Sequence, residues 1–200
     1  MSPPPVHPIE AESYRILAER VDLSAWPPLS RAVVARVIHA AADVGYADTL
    51  VVDEDACAAG IAALRAGAPV VADVEMVVVA SRRAGTVALL AEARERAAPG
   101  VTVSAAAMRL AAERWPSDAV VVVGNAPTAL REVVALAAAG RFAPALVIGL
   151  PVGFVGAAEA KAELRASGLP AISNVGERGG SAVAAAALNA LWRVAQEAGA

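Results

Sequence analysis

The order of elements read from this sequence predicts an α/β fold. It is a single domain built on a doubly wound, mainly parallel sheet flanked by helices, with an N-terminal helical segment. Two observations carry the prediction. From Pro69 onward, short apolar runs alternate with longer stretches of helical periodicity. Runs such as Val120-Val121-Val122-Val123 are apolar at every position, which suits strands covered on both faces.

The domain is expected over residues 9–197, behind a flexible Pro-rich arm at residues 1–8. Ile9, Ile16 and Leu17 give a helical spacing over Ile9–Arg20, and Pro27-Pro28 marks a break. Val33, Val34, Val37, Ile38 and Ala41 form one stripe and predict a helix over Ser30–Asp43. A further helix is predicted over Asp53–Ala66, stopped by Gly67. The strands follow at Pro69–Ala72, Thr86–Leu90, Ala119–Val123, Ala145–Ile148 and Ala171–Ser173. Helices are predicted between the last four at Ser104–Trp115, Ala126–Ala139 and Ala157–Ser167, and Ser181–Gln196 closes the chain. No repeat of 20–50 residues is present.

Composition excludes several classes. Of 200 residues, 58% are apolar and 18% charged, enough apolar surface to bury a core and too much for a disordered chain. Membrane spans are not expected. The run Phe142–Ala158 is interrupted by Pro144, Gly149, Pro151, Gly153 and Gly156, and Pro69–Ala80 contains Asp73 and Glu75, so neither supplies the roughly 20 apolar residues a span needs. Met1–Pro5 lacks the basic and apolar regions of a secretory signal, and a cytoplasmic location is expected. One cysteine, Cys57, leaves no disulfide framework and no cysteine-based zinc cluster. A net charge of −3, with Arg82-Arg83 as the lone adjacent basic pair, speaks against nucleic acid as partner.

Three loops follow predicted strand ends. They are Gly124–Thr128, Gly149–Gly156 and Asn174–Ser181. In open α/β sheets ligands bind at the carboxyl ends of strands. Glycine lets backbone approach a ligand, and helix N-termini favour anions. The loops therefore suit a large anionic molecule held across one edge of the sheet. A nucleotide is the obvious rival, and the spacing speaks against it: Gly149, Gly153 and Gly156 are spaced G-x-x-x-G-x-x-G, and Lys161, the only lysine, is not in a phosphate loop. No spacing of His, Cys and carboxylates matches a metal site, so no metal is expected. No G-x-S-x-G elbow is present. His39 is left as the acid/base candidate, in a helix one turn after Arg36.

Several segments, in order, resemble the precorrin-8X methylmutase family of cobalamin biosynthesis. They are Pro8–Tyr14, Arg36-Val37-Ile38-His39, Gly67–Pro69 with Asp73 and Met76-Val77, Gly124–Leu130, Pro151–Lys161 and Gly179–Leu191. The resemblance runs from about Pro8 to Leu191, and Arg36–Asp43 looks closer to the cobalt-precorrin-8 branch. It implies a homodimeric α/β isomerase that needs no cofactor and moves a methyl group from C-11 to C-12 of the tetrapyrrole ring. It also implies His39 as proton donor or acceptor on that ring. Substrate contacts are implied at Ser13, Arg36, Thr102, Ser104, Asn125, Gly153, Gly179, Gly180 and Ser181. One departure stands out. Where the family usually has Thr-Arg-Ser, this chain has Thr102-Val103-Ser104, which leaves Arg82, Arg83 and Arg109 as candidates to replace the arginine. Two readings follow, an active methylmutase or a non-catalytic corrin-binding or carrier relative.

Overall fold

The computed structural model, which describes residues 7–197, assembles its strands into one sheet. They are β1 (Leu50–Val52), β2 (Val70–Ala72), β3 (Thr86–Ala88), β4 (Val120–Val123), β5 (Leu146–Gly149) and β6 (Ala171–Asn174), in the order β1-β6-β5-β4-β2-β3. Every pairing is parallel except that of β1 with β6. Strand side chains alternate between two cores, as a period of two requires. Val120 and Val122 face one core and Val121 and Val123 the other. This is why β4 is valine throughout.

Helices cover both faces. On the first lie α2 (Pro28–Ala41), α4 (Glu54–Arg65), the short α5 (Glu75–Ala80) and α10 (Ser181–Glu197). On the second lie α6 (Leu90–Arg96), α7 (Val103–Arg114), α8 (Pro127–Ala138) and α9 (Ala157–Ala166). The stripe read from sequence on α2 is the buried one, with Val33, Val34, Val37 and Ile38 at its centre. Opposite it, α10 presents Ala184, Ala187, Leu188 and Leu191. Small side chains there let the two axes approach, and each buried Val, Ile or Leu contributes roughly 1.5–3 kcal/mol. The N-terminal helix α1 (Pro8–Arg20) packs on α2 and buries Leu17.

Several elements differ from the sequence reading. Most of the Pro-rich arm, residues 1–6, lies outside the described residues, and its last two residues belong to α1: His7 caps the helix and Pro8 opens it. The apolar run Pro69–Ala80 is β2, a turn at Asp73 and then α5. Three β-branched residues, Val77–Val79, hide this helix among strand-like sequence. Thr86–Leu90 divides into β3 and the start of α6. The edge strand β1 and the one-turn helix α3 (Tyr46–Thr49) are too short to leave a period. Among the described residues no helix is long and apolar enough to cross a membrane.

The topology fixes where a ligand fits. The chain runs from β2 out to β3, then returns past β2 to β4. The strand order therefore reverses between β2 and β4, and the carboxyl ends of these two strands flank the switch point. Because β1 is antiparallel to β6, with Leu50 beside Asn174, the connection from α2 to β1 also returns to the carboxyl edge. Thus the C-terminal turn of α2, which carries His39, reaches the edge where the glycine loops lie.

Candidate active site

His39 sits three residues after Arg36, so both side chains leave the same face of α2. On α1, Glu10, Ser13 and Tyr14 share the facing side by the same spacing. The Ser13 hydroxyl lies 2.8 Å from His39 Nδ1. The Tyr14 ring stacks on the imidazole, centroids 4.9 Å apart and planes within 12°. Arg36 Nη1 donates to Glu10 Oε1 at 2.5 Å and approaches the Tyr14 hydroxyl at 3.4 Å. Burial works against the Arg36 charge, but Tyr14 and Glu10 outweigh it and hold the guanidinium above the usual arginine range. All five residues are half-buried. Either the hydroxyl donates to Nδ1, leaving the ring proton on Nε2, or Nδ1–H donates to the hydroxyl, leaving Nε2 an acceptor. The serine thereby couples the two proton roles of the ring. Sequence reading found Ser13, Arg36 and His39 but not Glu10 and Tyr14. The signal was present in the i, i+4 spacing of Glu10 and Tyr14 around Ser13.

The loop after β6 is tied to this corner. Arg178 pairs with Asp43, donates to the Gly45 carbonyl at 3.1 Å and stacks over Tyr46 at 5.2 Å. Val175 N–H donates to the Thr49 carbonyl at 2.8 Å. Underneath lies Lys161, wholly buried. Its Nζ donates to Asn174 Oδ1 at 3.0 Å and to the Arg178 carbonyl at 2.6 Å, and Asn174 Nδ2 donates to that same carbonyl at 2.9 Å. Burial, with Arg165 nearby, brings the Lys161 ammonium down to about 8 from an ordinary value of 10.5, against the opposing pull of Glu177. Between pH 8 and 10.5 the unfolded chain therefore holds a proton that the folded chain has released, and stability rises with pH across that window. The free energy of unfolding of the wild type, measured relative to Lys161→Met by urea titration, is expected to grow by up to about 3 kcal/mol from pH 8 to pH 10.5. A difference that is flat or falling over that range contradicts the assignment.

The loops after β5 and β6 interlock. Gly180 N–H donates to the Leu150 carbonyl at 2.8 Å and Gly153 N–H to the Glu177 carbonyl at 3.1 Å. Gly179 packs so closely that a Cβ would stand 2.3 Å from the Leu150 carbonyl oxygen. The Ser181 hydroxyl, at the start of α10, is buried and finds no partner among the described residues.

At the switch point the arrangement differs from the expected open loop. Asp73, fully buried at the end of β2, accepts from the amides of Gly124 at 2.9 Å, Asn125 at 2.8 Å and Ala126 at 2.7 Å. Burial pushes its carboxyl up and the three amides pull the other way, with burial the stronger. The amides ahead of α8 that sequence reading offered to a substrate anion are thus taken by the protein itself. Asn125 is exposed above them. Beside it, the Thr102 hydroxyl caps α7 and lies 2.8 Å from the Thr128 hydroxyl. Val103 and Ser104 are half-buried in the first turn of α7.

The predicted residues thus fall into three groups along one edge: Ser13, Arg36 and His39; then Gly153, Gly179, Gly180 and Ser181; then Thr102, Ser104 and Asn125. No hydrogen bond or ion pair among the described residues joins the first group to the third. None of the three arginines considered as replacements is free at Val103. Arg109 is held by Glu132 through two hydrogen bonds of 2.7 and 3.0 Å. Arg82 and Arg83 lie in the turn that enters the amino end of β3, where Arg83 stacks over Trp192 at 4.9 Å. A cavity of about 490 Å³ lies elsewhere, lined by Val51, Asp55, Arg165, Pro170 and Ser173, and no predicted site residue lines it. Among the described residues, no group of three His, Cys, Asp or Glu side chains could hold a metal ion.

Comparison with known proteins decides the family. The family model described as precorrin-8X methylmutase matches residues 8–194. The chain belongs to the precorrin-8X methylmutase family. Among its relatives, the precorrin-8X methylmutase of Pseudomonas aeruginosa is 40% identical over 193 residues, covering 92% of this chain and 93% of the relative. The cobalt-precorrin-8 methylmutase of Priestia megaterium is 38% identical over 192 residues, covering 92% and 85%. The crystal structure of the Thermus thermophilus precorrin-8X methyl mutase superimposes with a TM-score of 0.86 at 39% identity, covering 96% of this chain and 97% of that one. The mainly parallel sheet read from the alternation is that of the methylmutase fold. The family comprises isomerases of cobalamin biosynthesis.

Proposed function

We propose that this methylmutase-family chain isomerises precorrin-8 or its cobalt form by moving a methyl group from C-11 to C-12 of the ring, with His39 as the proton donor and acceptor. The observation that carries the reading is the Ser13–His39–Tyr14 constellation at the carboxyl edge of a methylmutase fold. His39 Nε2 gives a proton to the macrocycle, favouring the tautomer from which the methyl shift is easy, and recovers one afterwards. Atoms balance, because the product has the composition of the substrate. Ser13 holds the ring in register through Nδ1, and Tyr14 fixes its plane. Arg36, Thr102, Ser104, Asn125, Gly153, Gly179, Gly180 and Ser181 are the substrate-binding groups of this reading. No cofactor is required. The place of action is the cytoplasm, and the acting form is a homodimer. Phe154 is 92% exposed and its neighbour Val155 89%, an apolar stretch of the kind a second copy covers.

Anaerobic incubation with precorrin-8, and separately with its cobalt form, tests the reading by visible spectrum and chromatography. Conversion of either form supports it. Tight binding of both without conversion would instead support the carrier reading, which Val103 favours by removing the family's charged contact. Ser13→Ala removes one hydrogen bond worth about 0.5–1.5 kcal/mol. It is expected to lower kcat roughly 3- to 10-fold with KM little changed. An unaltered kcat would remove Ser13 from the proton machinery.

A further inference from the structure

The switch point between β2 and β4 is where an open α/β sheet ordinarily receives the anionic part of a ligand. Here that place is already filled. Asp73 follows directly on β2, has no exposed surface, and directs both carboxylate oxygens at three consecutive amides, those of Gly124, Asn125 and Ala126. Each of these partners is a donor, and no acceptor faces either oxygen among the described residues, so it is the carboxylate rather than the acid that the loop recognises. Its own amide donates to the Val122 carbonyl at 3.0 Å, which locks its backbone to β4 as well. The effect is twofold. The positive end of α8 is neutralised from inside the protein, and the loop is pinned with Asn125 exposed above the buried charge.

We propose that Asp73 is a positioning and specificity-determining residue. By occupying the anion site of the switch point it fixes Asn125 to meet an uncharged polar or ring group of the corrinoid, and it sends the substrate's carboxylates to other parts of the edge. The inference rests on the methylmutase reading of the site.

The test is a kinetic cycle on the intact protein. Asp73→Asn keeps the shape of the side chain but turns an amide NH₂ toward N–H donors, which loosens the loop. Asn125→Ala removes the group that the loop presents. Each is expected to raise KM about tenfold. The double variant is expected to match Asn125→Ala alone, since Asp73 acts through Asn125. Multiplying effects, near a hundredfold, would show a general structural role and overturn the proposal. Asn125→Lys, an exposed substitution that does not depend on folding around a buried change, reads the charge of the group bound there. KM is expected to rise fivefold or more. A KM that falls would show a substrate carboxylate at this spot and overturn the proposal even if Asp73→Asn fails to fold. Failure of the wild type to convert either form of precorrin-8 would strike the methylmutase reading instead, and that control separates the two failures.

Discussion

Replacing His39 with alanine is expected to lower kcat by about 10²–10⁴-fold, the usual contribution of a general acid or base, while binding of the corrinoid product changes little. The imidazole is half-buried at the end of α2, and its Nδ1 is already engaged by Ser13. That leaves Nε2 as the atom able to exchange a proton with the ring. Tyr14 loses its stacking partner in this variant, a loss of about 0.5–1.5 kcal/mol, which is small for a domain of this size. Circular dichroism and thermal melting should therefore be close to those of the wild type. Turnover within threefold of wild type would exclude His39 as the proton-transfer group.

Gly179→Ala has the largest expected structural effect. The added methyl would stand 2.3 Å from the Leu150 carbonyl oxygen and 2.5 Å from that of Pro151. Both are backbone atoms and cannot rotate away, so one of the two interlocked loops has to move. The movement strains or breaks the 2.8 Å bond from Gly180 N–H to Leu150 and the 3.1 Å bond from Gly153 N–H to Glu177. Overpacking costs about 1–3 kcal/mol, and the lost hydrogen bonds add about 1 kcal/mol each. A total of about 3–5 kcal/mol lowers Tm by roughly 6–20 °C in a chain of this length. Because Gly153, Gly179 and Gly180 are also in the proposed binding edge, KM should rise more than tenfold. A melting temperature within 1 °C of wild type would contradict the close approach of the two loops.

The strands of the central sheet were legible because burial on both faces leaves an unbroken apolar run, as in Val120–Val123. The α2 helix was legible because its stripe faces a core on one side only. The edge strand β1 was not. Its three residues pass from buried Leu50 to exposed Val51 to half-buried Val52, too short a pattern to separate from a loop. The α5 helix was hidden by its valines. At the site, the residues alone made His39 the acid/base candidate and put Arg36 on its helix face, but gave neither a substrate. Their assignment came with the family resemblance. What sequence reading missed were the groups that hold other groups in place. Asp73 was visible as an acid inside an apolar run and entered the argument against a membrane span and the family resemblance, but with no structural role. A carboxylate in such a run is costly to bury unless it is paired, and that cost was the available signal for its three amide partners. Lys161 gave a similar signal as the only lysine of the chain. Here the fold buries it beneath the Asn174–Gly180 loop.

The carboxyl edge of this chain is expected to rearrange its substrate rather than only hold it. Precorrin-8 carrying a ¹³C label in the C-11 methyl group, incubated with the protein under anaerobic conditions and followed by NMR, separates the two outcomes. The expected result is disappearance of the C-11 methyl signal and appearance of a C-12 methyl signal of equal intensity, with mass unchanged and the process slowed by about 10²–10⁴-fold in His39→Ala. A label that stays at C-11 while the corrinoid is bound tightly would contradict this and make the protein a carrier.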